Sequence, residues 1–240
     1  MDEATPTDLA PLREPPAAPQ VATHNFRFSE DYDLYPSGAK TKYKNNVMAI
    51  KLLKQIELEK RTATPEEQII LARYVGWGGL ANAFSSTASG WENEYQELKS
   101  LLTDVEYKAA MNSTITAYYT EPDLIRHIYR ALERFGFEGG PDRKILDPGM
   151  GTGNFYSVLP EQFQGSKLFG VELDSITGRI AKQLYPDADI SIMGYEATKF
   201  EDNSFDVILG NIPFNSVKIY DRRYNDLNPY IHDYFFIKSL

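Results

Sequence analysis

The stretch from Lys144 to Phe155, K-I-L-D-P-G-M-G-T-G-N-F, constrains the fold of this 240-residue chain more than any other segment. Its first three residues are typical of the end of a short buried strand, and Asp147 follows at the carboxyl end of that strand. The glycines at alternate positions after it are Gly149, Gly151 and Gly153. Glycine adopts positive φ and lets a ligand approach the backbone closely. The stretch therefore predicts the first strand-to-helix turn of an α/β sheet, although a tight turn without any ligand explains the glycines equally well.

Later segments of the chain fit the same kind of sheet. A second apolar segment, Lys167 to Val171, runs into Glu172, at about the distance from Asp147 at which a ribose-binding acid is expected. Asp174 to Tyr185 has the pattern of a helix, and Asp189 to Met193 that of a third strand. Strands that alternate with helices predict βαβ units, and hence a parallel sheet with right-handed crossovers.

The fourth predicted strand, Phe205 to Gly210, leads directly into the tetrapeptide Asn211 to Phe214, N-I-P-F. Ligands of open parallel sheets bind at the carboxyl ends of the strands. The residues predicted at such ends are Asp147, Glu172, the turn Gly194-Tyr195-Glu196, and Asn211. The sequence thus predicts an α/β fold with a binding site along one edge of its sheet.

Together these motifs resemble the S-adenosylmethionine-dependent amino-methyltransferases. The segment from Asp147 to Phe155 is similar to their cofactor loop, D-P-x-x-G-[ST]-G-x-[FL], and N-I-P-F is similar to the catalytic N-P-P-[YF] tetrad of adenine-N6 DNA methylases. Tyr74 to Leu80 (Y-V-G-W-G-G-L) and Ile231 to Leu240 resemble flanking stretches of large methylase–helicase proteins of plasmids, phages and conjugative elements. This resemblance covers about Ser37 to Leu240 and implies a Rossmann-like class I methyltransferase sheet.

The resemblance implies S-adenosylmethionine as the cofactor. It places the following residues around that cofactor: Tyr119, Thr120, Asp147, Pro148, Gly149, Gly151, Gly153, Asn154, Phe155, Glu172 and Glu196. Asp147 would accept a hydrogen bond from the ammonium group of the cofactor or from ordered water, and Glu172 would accept from the ribose hydroxyls. Glu196, or Tyr195 beside it, would face the adenine ring. Thr120 has a second explanation, because it is also a suitable N-cap for a helix that reaches Phe135.

The resemblance implies that the tetrad Asn211, Ile212, Pro213 and Phe214 is catalytic. The side-chain oxygen of Asn211 and the backbone carbonyl of Ile212 would accept the hydrogens of the target amine, and Phe214 would stack on a base flipped out of the duplex. Ile212 replaces the first proline of the family pattern, which a backbone carbonyl does not require.

The remaining sequence predicts a helical region before the sheet. Residues 1–25 contain five prolines and no periodicity, which indicates a disordered Pro-rich tail. Residues 26–117 are predicted to be helical, with one helix from Asn45 to Lys60 capped by Asn45 or Asn46, and with capping boxes at Thr64 and Thr103. Trp77 lies between glycines and is either a base-stacking platform or, as the pattern favours, a packed aromatic. Residues 118–240 are predicted to form the Rossmann-like domain, which lacks its last strands because only four of the seven strands of a complete family sheet are recognised.

Composition excludes some function classes. The chain has no cysteine, so it has neither the thiolate nucleophile of a cytosine-C5 methylase nor a cysteine-type zinc site, and its histidines have no metal-site spacing. No apolar run is long enough to cross a membrane, and a cytoplasmic location is predicted. The net charge of −9 is unfavourable for binding DNA. Basic residues are concentrated between Lys40 and Arg61, and at Lys218, Arg222 and Arg223, although such runs are often solvated helix faces.

Three functions remain open from the sequence. The motif order favours a DNA adenine-N6 methyltransferase domain, with DNA as its partner and further, helicase-like domains in a longer polypeptide. The same tetrad also serves methyltransferases that act on protein glutamine or RNA adenine. A non-catalytic module of a larger mobile-element protein is the third possibility, which the short sheet and Ile212 favour.

Overall fold

The computed structural model describes residues 24–114 and 120–240. The predicted tail lies almost entirely outside these residues, as does Tyr119. The predicted boundaries of the tail, the helical region and the Rossmann-like domain therefore stay predictions.

A four-stranded parallel sheet forms the centre of the C-terminal half, as predicted. Its strands are β1 (Lys144–Asp147), β2 (Lys167–Glu172), β3 (Asp189–Ile192) and β4 (Val207–Ile208). Their order is β3-β2-β1-β4, so the chain moves outward in one direction from β1 to β3 and then returns to the other side of β1. The strand order reverses between β1 and β4, and a crevice is expected at the carboxyl ends of these two strands. β4 is shorter than the predicted Phe205–Gly210 strand.

Eight α-helices surround the sheet and precede it in the described residues. They are α1 (Ala39–Leu58), α2 (Pro65–Ala72), α3 (Glu92–Leu101), α4 (Asp104–Ser113), α5 (Pro122–Arg134), α6 (Asn154–Ser157), α7 (Ser175–Leu184) and α8 (Ile231–Ser239). None of them has both the length and the apolar character that a membrane-spanning helix requires.

The two faces of the sheet are covered by separate groups of buried side chains. Side chains alternate between the faces along a strand, so that Ile145 belongs to a large core and Leu146 to a smaller one. The large core also contains the N-terminal helices and α7, which means that the helical region and the sheet share one hydrophobic interior. The smaller core is closed by Tyr234 and Phe235 of α8.

Helix α1 begins earlier than predicted, and neither proposed asparagine caps it. It starts at Ala39 after Gly38, and Asn46 is a buried residue in its interior. The Asn46 side chain accepts a hydrogen bond from the Val75 N–H at 2.9 Å and donates one to the Gly76 carbonyl at 2.6 Å. Asn46 therefore satisfies the backbone of the turn after α2 instead of the first turn of α1.

Local helix signals succeed at two other helices and fail at α5. Both capping boxes are confirmed: the Thr64 and Thr103 side chains accept from the third N–H of α2 and α4. The N-cap of α5 is Glu121, which makes no side-chain capping bond, so Thr120 is not the cap. Leu124 is 58% exposed although it follows the apolar periodicity of α5, and Tyr129 is buried.

Trp77 is a packed aromatic and not a base-stacking platform. Its side chain is buried, and its ring meets the rings of Tyr43, Tyr74 and Phe84 in edge-on contacts. A base cannot reach this ring without disrupting the large core.

Four of the seven basic residues between Lys40 and Arg61 are paired with acids of the same chain. The pairs are Lys40–Glu94, Lys51–Glu97, Lys54–Glu106 and Arg61–Glu67. Three of these pairs join α1 to α3 and α4, so the run stabilises helix packing. Its support for DNA binding is correspondingly reduced.

Glu106 joins the helical region to the sheet domain. Its carboxylate lies 3.1 Å from Lys54 Nζ on α1 and 2.5 Å from an Arg179 nitrogen on α7. Burial by itself raises the pKa of Glu106, but the Thr103 amide and the two cations outweigh it and hold this pKa at about 2. The charged carboxylate is therefore a favourable part of the fold.

Replacing Glu106 with glutamine should lower the free energy of unfolding at pH 7 by about 1–3 kcal/mol, because two partly buried cations lose their partner. The pKa of Glu106 is lower in the folded chain than its ordinary value of 4.5. Its contribution is therefore complete above that value and is lost as the pH falls towards 2. Urea unfolding at pH 7 and pH 3 should show a smaller difference between the variants at pH 3. Asp202→Asn, which removes the exposed pair with Arg223, is the control and should change little. An equal loss at both pH values would contradict a role for the charge.

Candidate active site

The turn after β1 is held by a buried tyrosine that the sequence did not single out. The Tyr156 hydroxyl accepts a hydrogen bond from the Asp147 N–H at 3.0 Å and donates one to the Phe169 carbonyl of β2. Tyr156 thus bridges the carboxyl ends of β1 and β2. Its position nine residues beyond Asp147 carries no sequence signal for this role.

Glycine is required at two positions of the turn. Gly151 has φ of +57° and Gly153 has φ of +87°. A Cβ on Gly153 would also lie 2.3 Å from a ring carbon of Tyr185. The helix that follows, α6, has only four residues, so the predicted helix N-terminus beside the cofactor is a single turn. The turn itself therefore supplies the accessible backbone.

Asp147 lies buried at the crevice between β1 and β4. Its Oδ1 accepts from the Gly149 N–H at 3.1 Å, and a Cβ placed on Gly210 would lie 2.4 Å from the same oxygen. Burial raises the pKa of Asp147 to about 8 against the opposing effect of the Gly149 amide, and the charge of Glu172 raises it further. A cation bound here would favour the ionised carboxylate.

Glu172 connects the end of β2 to the glycine turn. One carboxylate oxygen accepts from the Gly151 N–H at 2.9 Å, and the other accepts from the Asp174 N–H at 2.7 Å. Burial raises the pKa of Glu172 to about 7, although both amides oppose this shift. Each carboxylate oxygen has a further lone pair, so Glu172 can still accept from a ligand hydroxyl.

Two exposed apolar side chains lie beside the acids at this edge. Leu173 follows β2 and is 75% exposed, and Met193 follows the neighbouring β3 and is 40% exposed. Glu172 and Ile192 are partners in the sheet, so Leu173 and Met193 follow directly from neighbouring strand ends. Neither residue is among the sequence-predicted site residues, although apolar residues immediately after predicted strands are a signal for such contacts.

The structure separates the two candidates for the adenine end of the site. Tyr195 is buried in the smaller core, with its ring 5.1 Å from that of Phe235. Glu196 is exposed, and its carboxylate lies over the Cα of Gly194. Of the two, only Glu196 is accessible to a ligand.

A cavity of about 440 Å³ opens between α5, the turn after β1 and the end of β4. It is lined by Thr120, Glu121, Leu124, Ile128, Phe155, Gly210 and Asn211. Asn154 donates to the Thr120 carbonyl at 3.2 Å and so fixes one wall. The cavity explains why Leu124 is exposed although it follows the helix periodicity. It brings Thr120, Phe155 and Asn211 together, while Glu172 and Glu196 lie outside its lining.

The tetrad lies directly against the glycine turn. A Cβ built on Gly149 would lie 3.7 Å from the Asn211 carbonyl oxygen and 3.9 Å from Pro213 Cδ. Asn211 is exposed, whereas Ile212 packs its side chain against the smaller core. Phe214 is 69% exposed and stacks on His232, with ring centroids 5.6 Å apart. Pro148 is buried in the turn. The loop and the tetrad, separated by more than 50 residues, therefore form one site.

Comparison with known proteins bears on this site. Residues 146–223 match the model of a family described as "Methyltransferase domain". "Defense against restriction protein B" of Escherichia phage P1 is 27% identical over 171 residues, which are 70% of this chain and 6% of that protein. "Modification methylase CviBIII" of Paramecium bursaria Chlorella virus NC1A is 32% identical over 78 residues, 32% of this chain and 21% of the relative. The chain thus spans only a small part of either relative.

Among solved structures, a TehB-like SAM-dependent methyltransferase from Corynebacterium glutamicum is 25% identical. The match covers 38% of this chain and 54% of that structure's chain. Its TM-score of 0.26 is too low to support an argument. The family match coincides with the glycine turn, the acids and the tetrad. The chain contains an S-adenosylmethionine-dependent methyltransferase domain with a class I parallel sheet, and S-adenosylmethionine is its cofactor.

Proposed function

From this methyltransferase domain, we propose that the chain transfers a methyl group to the exocyclic N6 amine of adenine in DNA. The observation that carries the proposal is the contact between the glycine turn and the tetrad, with Gly149 packed against the Asn211 carbonyl and Pro213. This contact supports the proposal because the tetrad, which would bind the planar amine, lies directly against the glycine turn, which would bind the cofactor. When bound, the cofactor supplies an electrophilic methyl group on its sulfonium.

The chain offers suitable groups for each part of the cofactor. Asp147 lies beneath the turn as an acceptor for the ammonium group, and Glu172 presents carboxylate oxygens for the ribose hydroxyls. Leu173 and Met193 offer apolar contact to the adenine ring, and Glu196 offers an acceptor beside them. Thr120, Asn154 and Phe155 border the cavity at the other end of the site. Tyr119 stays a prediction, because it lies outside the described residues.

The tetrad would activate the target amine by binding its hydrogens. The lone pair of an aromatic amine is delocalised into the ring, so the nitrogen is a poor nucleophile. The Asn211 side-chain oxygen and the Ile212 carbonyl would accept the two N–H groups and stabilise the charge that develops on the nitrogen. Ile212 supplies only its carbonyl, and its side chain is used in packing. The proposed role of Ile212 is therefore compatible with its replacement of the proline of the family pattern.

Similarity to a protein named a modification methylase supports DNA over the alternatives. The net charge and the paired basic run on α1 do not support DNA, so the argument rests on the tetrad and on this relative. Protein glutamine and RNA adenine are the competing substrates. Helicase-like partner domains and a cytoplasmic location stay predictions.

The substrate is tested by methyl transfer from labelled S-adenosylmethionine to DNA, RNA and glutamine-containing peptides, followed by nucleoside analysis. The proposal requires that the label enter DNA and elute as N6-methyl-2′-deoxyadenosine. Label found only in RNA or only in peptide would show that this molecule, and not DNA, is the substrate. Cofactor binding without transfer to any of them would contradict the enzymatic proposal.

Cofactor affinity should rise with pH between about 6 and 8. In the cofactor-free chain the pKa of Asp147 is about 8 and that of Glu172 is about 7. A bound ammonium group favours the ionised form of Asp147, so cofactor binding at lower pH must release a proton from this carboxyl. Affinity should therefore weaken by up to about tenfold for each unit by which the pH falls. Calorimetry across this range checks the slope. Asp147→Asn should bind more weakly with a flatter profile, and an unchanged slope would contradict the role of Asp147.

A further inference from the structure

A row of aromatic rings continues outward from the tetrad. Phe214 stacks on His232 with centroids 5.6 Å apart and planes 20° apart, and His232 stacks on Tyr230 at 5.9 Å and 11°. Phe214 and Tyr230 are 69% and 45% exposed. We call Phe214, His232 and Tyr230 the aromatic row.

The aromatic row is anchored by the folded chain. Tyr230 pairs with Lys218 in an antiparallel bridge, and the Ile231 N–H donates to the Val217 carbonyl at 2.9 Å. Two turns of α8 follow, whose Tyr234 and Phe235 are buried in the smaller core. The rings at the start of α8 are therefore held in place beside the tetrad, and Phe214 and Tyr230 remain partly exposed.

The charge around the aromatic row differs from that of the chain as a whole. Lys218 Nζ lies 5.3 Å from the centre of the Tyr230 ring. Within residues 24–114 and 120–240, neither Lys218 nor Arg222 takes part in an ion pair, in contrast to the paired cations of α1. Two nearby acids are engaged elsewhere: Asp221 with Tyr234 and Lys238, and Asp202 with Arg223. Asp233 is the acid next to the row, 3.7 Å from His232 Nε2.

We propose that the aromatic row binds nucleotides next to the target adenine in an unpaired strand, with Lys218 at their phosphates. Exposed flat rings stack on bases of any sequence, and a cation beside them suits a phosphate. The rings could bind a protein surface equally well. A protein surface would, however, leave the unpaired cations Lys218 and Arg222 without a specific partner. The continuity of the row with Phe214 directs the strand towards the tetrad. This inference rests on the proposed function, because Phe214 belongs to the tetrad.

The proposal is tested by fluorescence anisotropy with a labelled single-stranded 12-nucleotide DNA, without cofactor. Tyr230→Ala should weaken binding by about 5- to 150-fold, the range for losing one stacked base, and Tyr230→Phe should restore it. Lys218→Ala should reduce the slope of log affinity against log salt by about 0.7. Phe236→Ala is the matched control, since Phe236 is an exposed aromatic of the same helix outside the row, and it should bind like the wild type.

Unchanged binding by Tyr230→Ala, equal weakening by Phe236→Ala, or failure of the wild type to bind the strand would overturn the proposal. A wild-type affinity of Tyr230→Ala for S-adenosylmethionine shows that the variant is folded. The two proposals fail in different ways. Methyl transfer to DNA that is insensitive to Tyr230→Ala overturns the aromatic row and leaves the proposed function intact. Strand binding that depends on Tyr230, without transfer to any substrate, supports the row and overturns the proposed function.

Discussion

Replacing Gly151 with valine should weaken S-adenosylmethionine binding by about 5- to 150-fold. Gly151 has φ of +57°, a conformation that a β-branched residue adopts only with a strain of about 1–3 kcal/mol. At 1.4 kcal/mol for each factor of ten, this strain gives the stated range if the turn must keep its shape to bind. If the turn relaxed instead, the Gly151 N–H would move away from Glu172, and Glu172 would lose one of the hydrogen bonds that orient its carboxylate.

Calorimetry of the wild type and Gly151→Val measures this difference. Gly90→Val is a matched control, because Gly90 has φ of +76° in the helical region, with no atom within 4 Å of an added Cβ. It should lower stability by a comparable amount and leave cofactor affinity unchanged. Equal affinities for the wild type and Gly151→Val would show that the turn does not hold the cofactor.

The general arrangement of the site follows from rules that act along the sequence. Alternating strands and helices predict a parallel sheet, and in such sheets ligands lie at the carboxyl ends of strands. For this reason the glycine turn and Asn211 could be placed together without knowledge of their contact. The capping boxes at Thr64 and Thr103 are equally local, and the structure contains both.

The errors arise where distant segments meet. Asn46 has the residue type of an N-cap, but it is used by the backbone at Val75 and Gly76, which only the folded chain brings close. In the sequence the cations of α1 resemble a DNA-binding run, but in the folded chain Lys40, Lys51 and Lys54 form ion pairs with acids of α3 and α4. Helix periodicity correctly orients Leu124 towards the interior side of α5, but a cavity lies there in place of packed side chains.

The finer parts of the site were not predictable for a related reason. Tyr156 acts through its hydroxyl between two strands, and nothing in the local sequence distinguishes it from a core tyrosine. The stacking of His232 on Phe214 depends on how α8 returns to the sheet, which the local sequence does not show. Sequence patterns therefore locate a site better than they identify the side chains that support it.

Asn211→Ala should reduce methyl transfer by about 10²–10³, the range for losing one preorganised polar group at a developing charge. Asn211 lines the cavity next to Gly210, and in the proposed mechanism its side chain binds the substrate amine and not the cofactor. Cofactor affinity should therefore remain nearly unchanged. Asn211→Asp should also be impaired, because it adds a charge that must be desolvated and removes the amide N–H groups that orient the side chain.

Single-turnover methyl transfer and calorimetry on the same samples separate these effects. Ile212→Val is the control, since the proposed role of Ile212 belongs to its backbone carbonyl and valine preserves most of the packing against the smaller core. It should retain activity close to the wild type. A loss of cofactor affinity in Asn211→Ala as large as the loss of transfer would place Asn211 in the cofactor site. Equal transfer by wild type and Asn211→Ala would instead remove the tetrad from the mechanism.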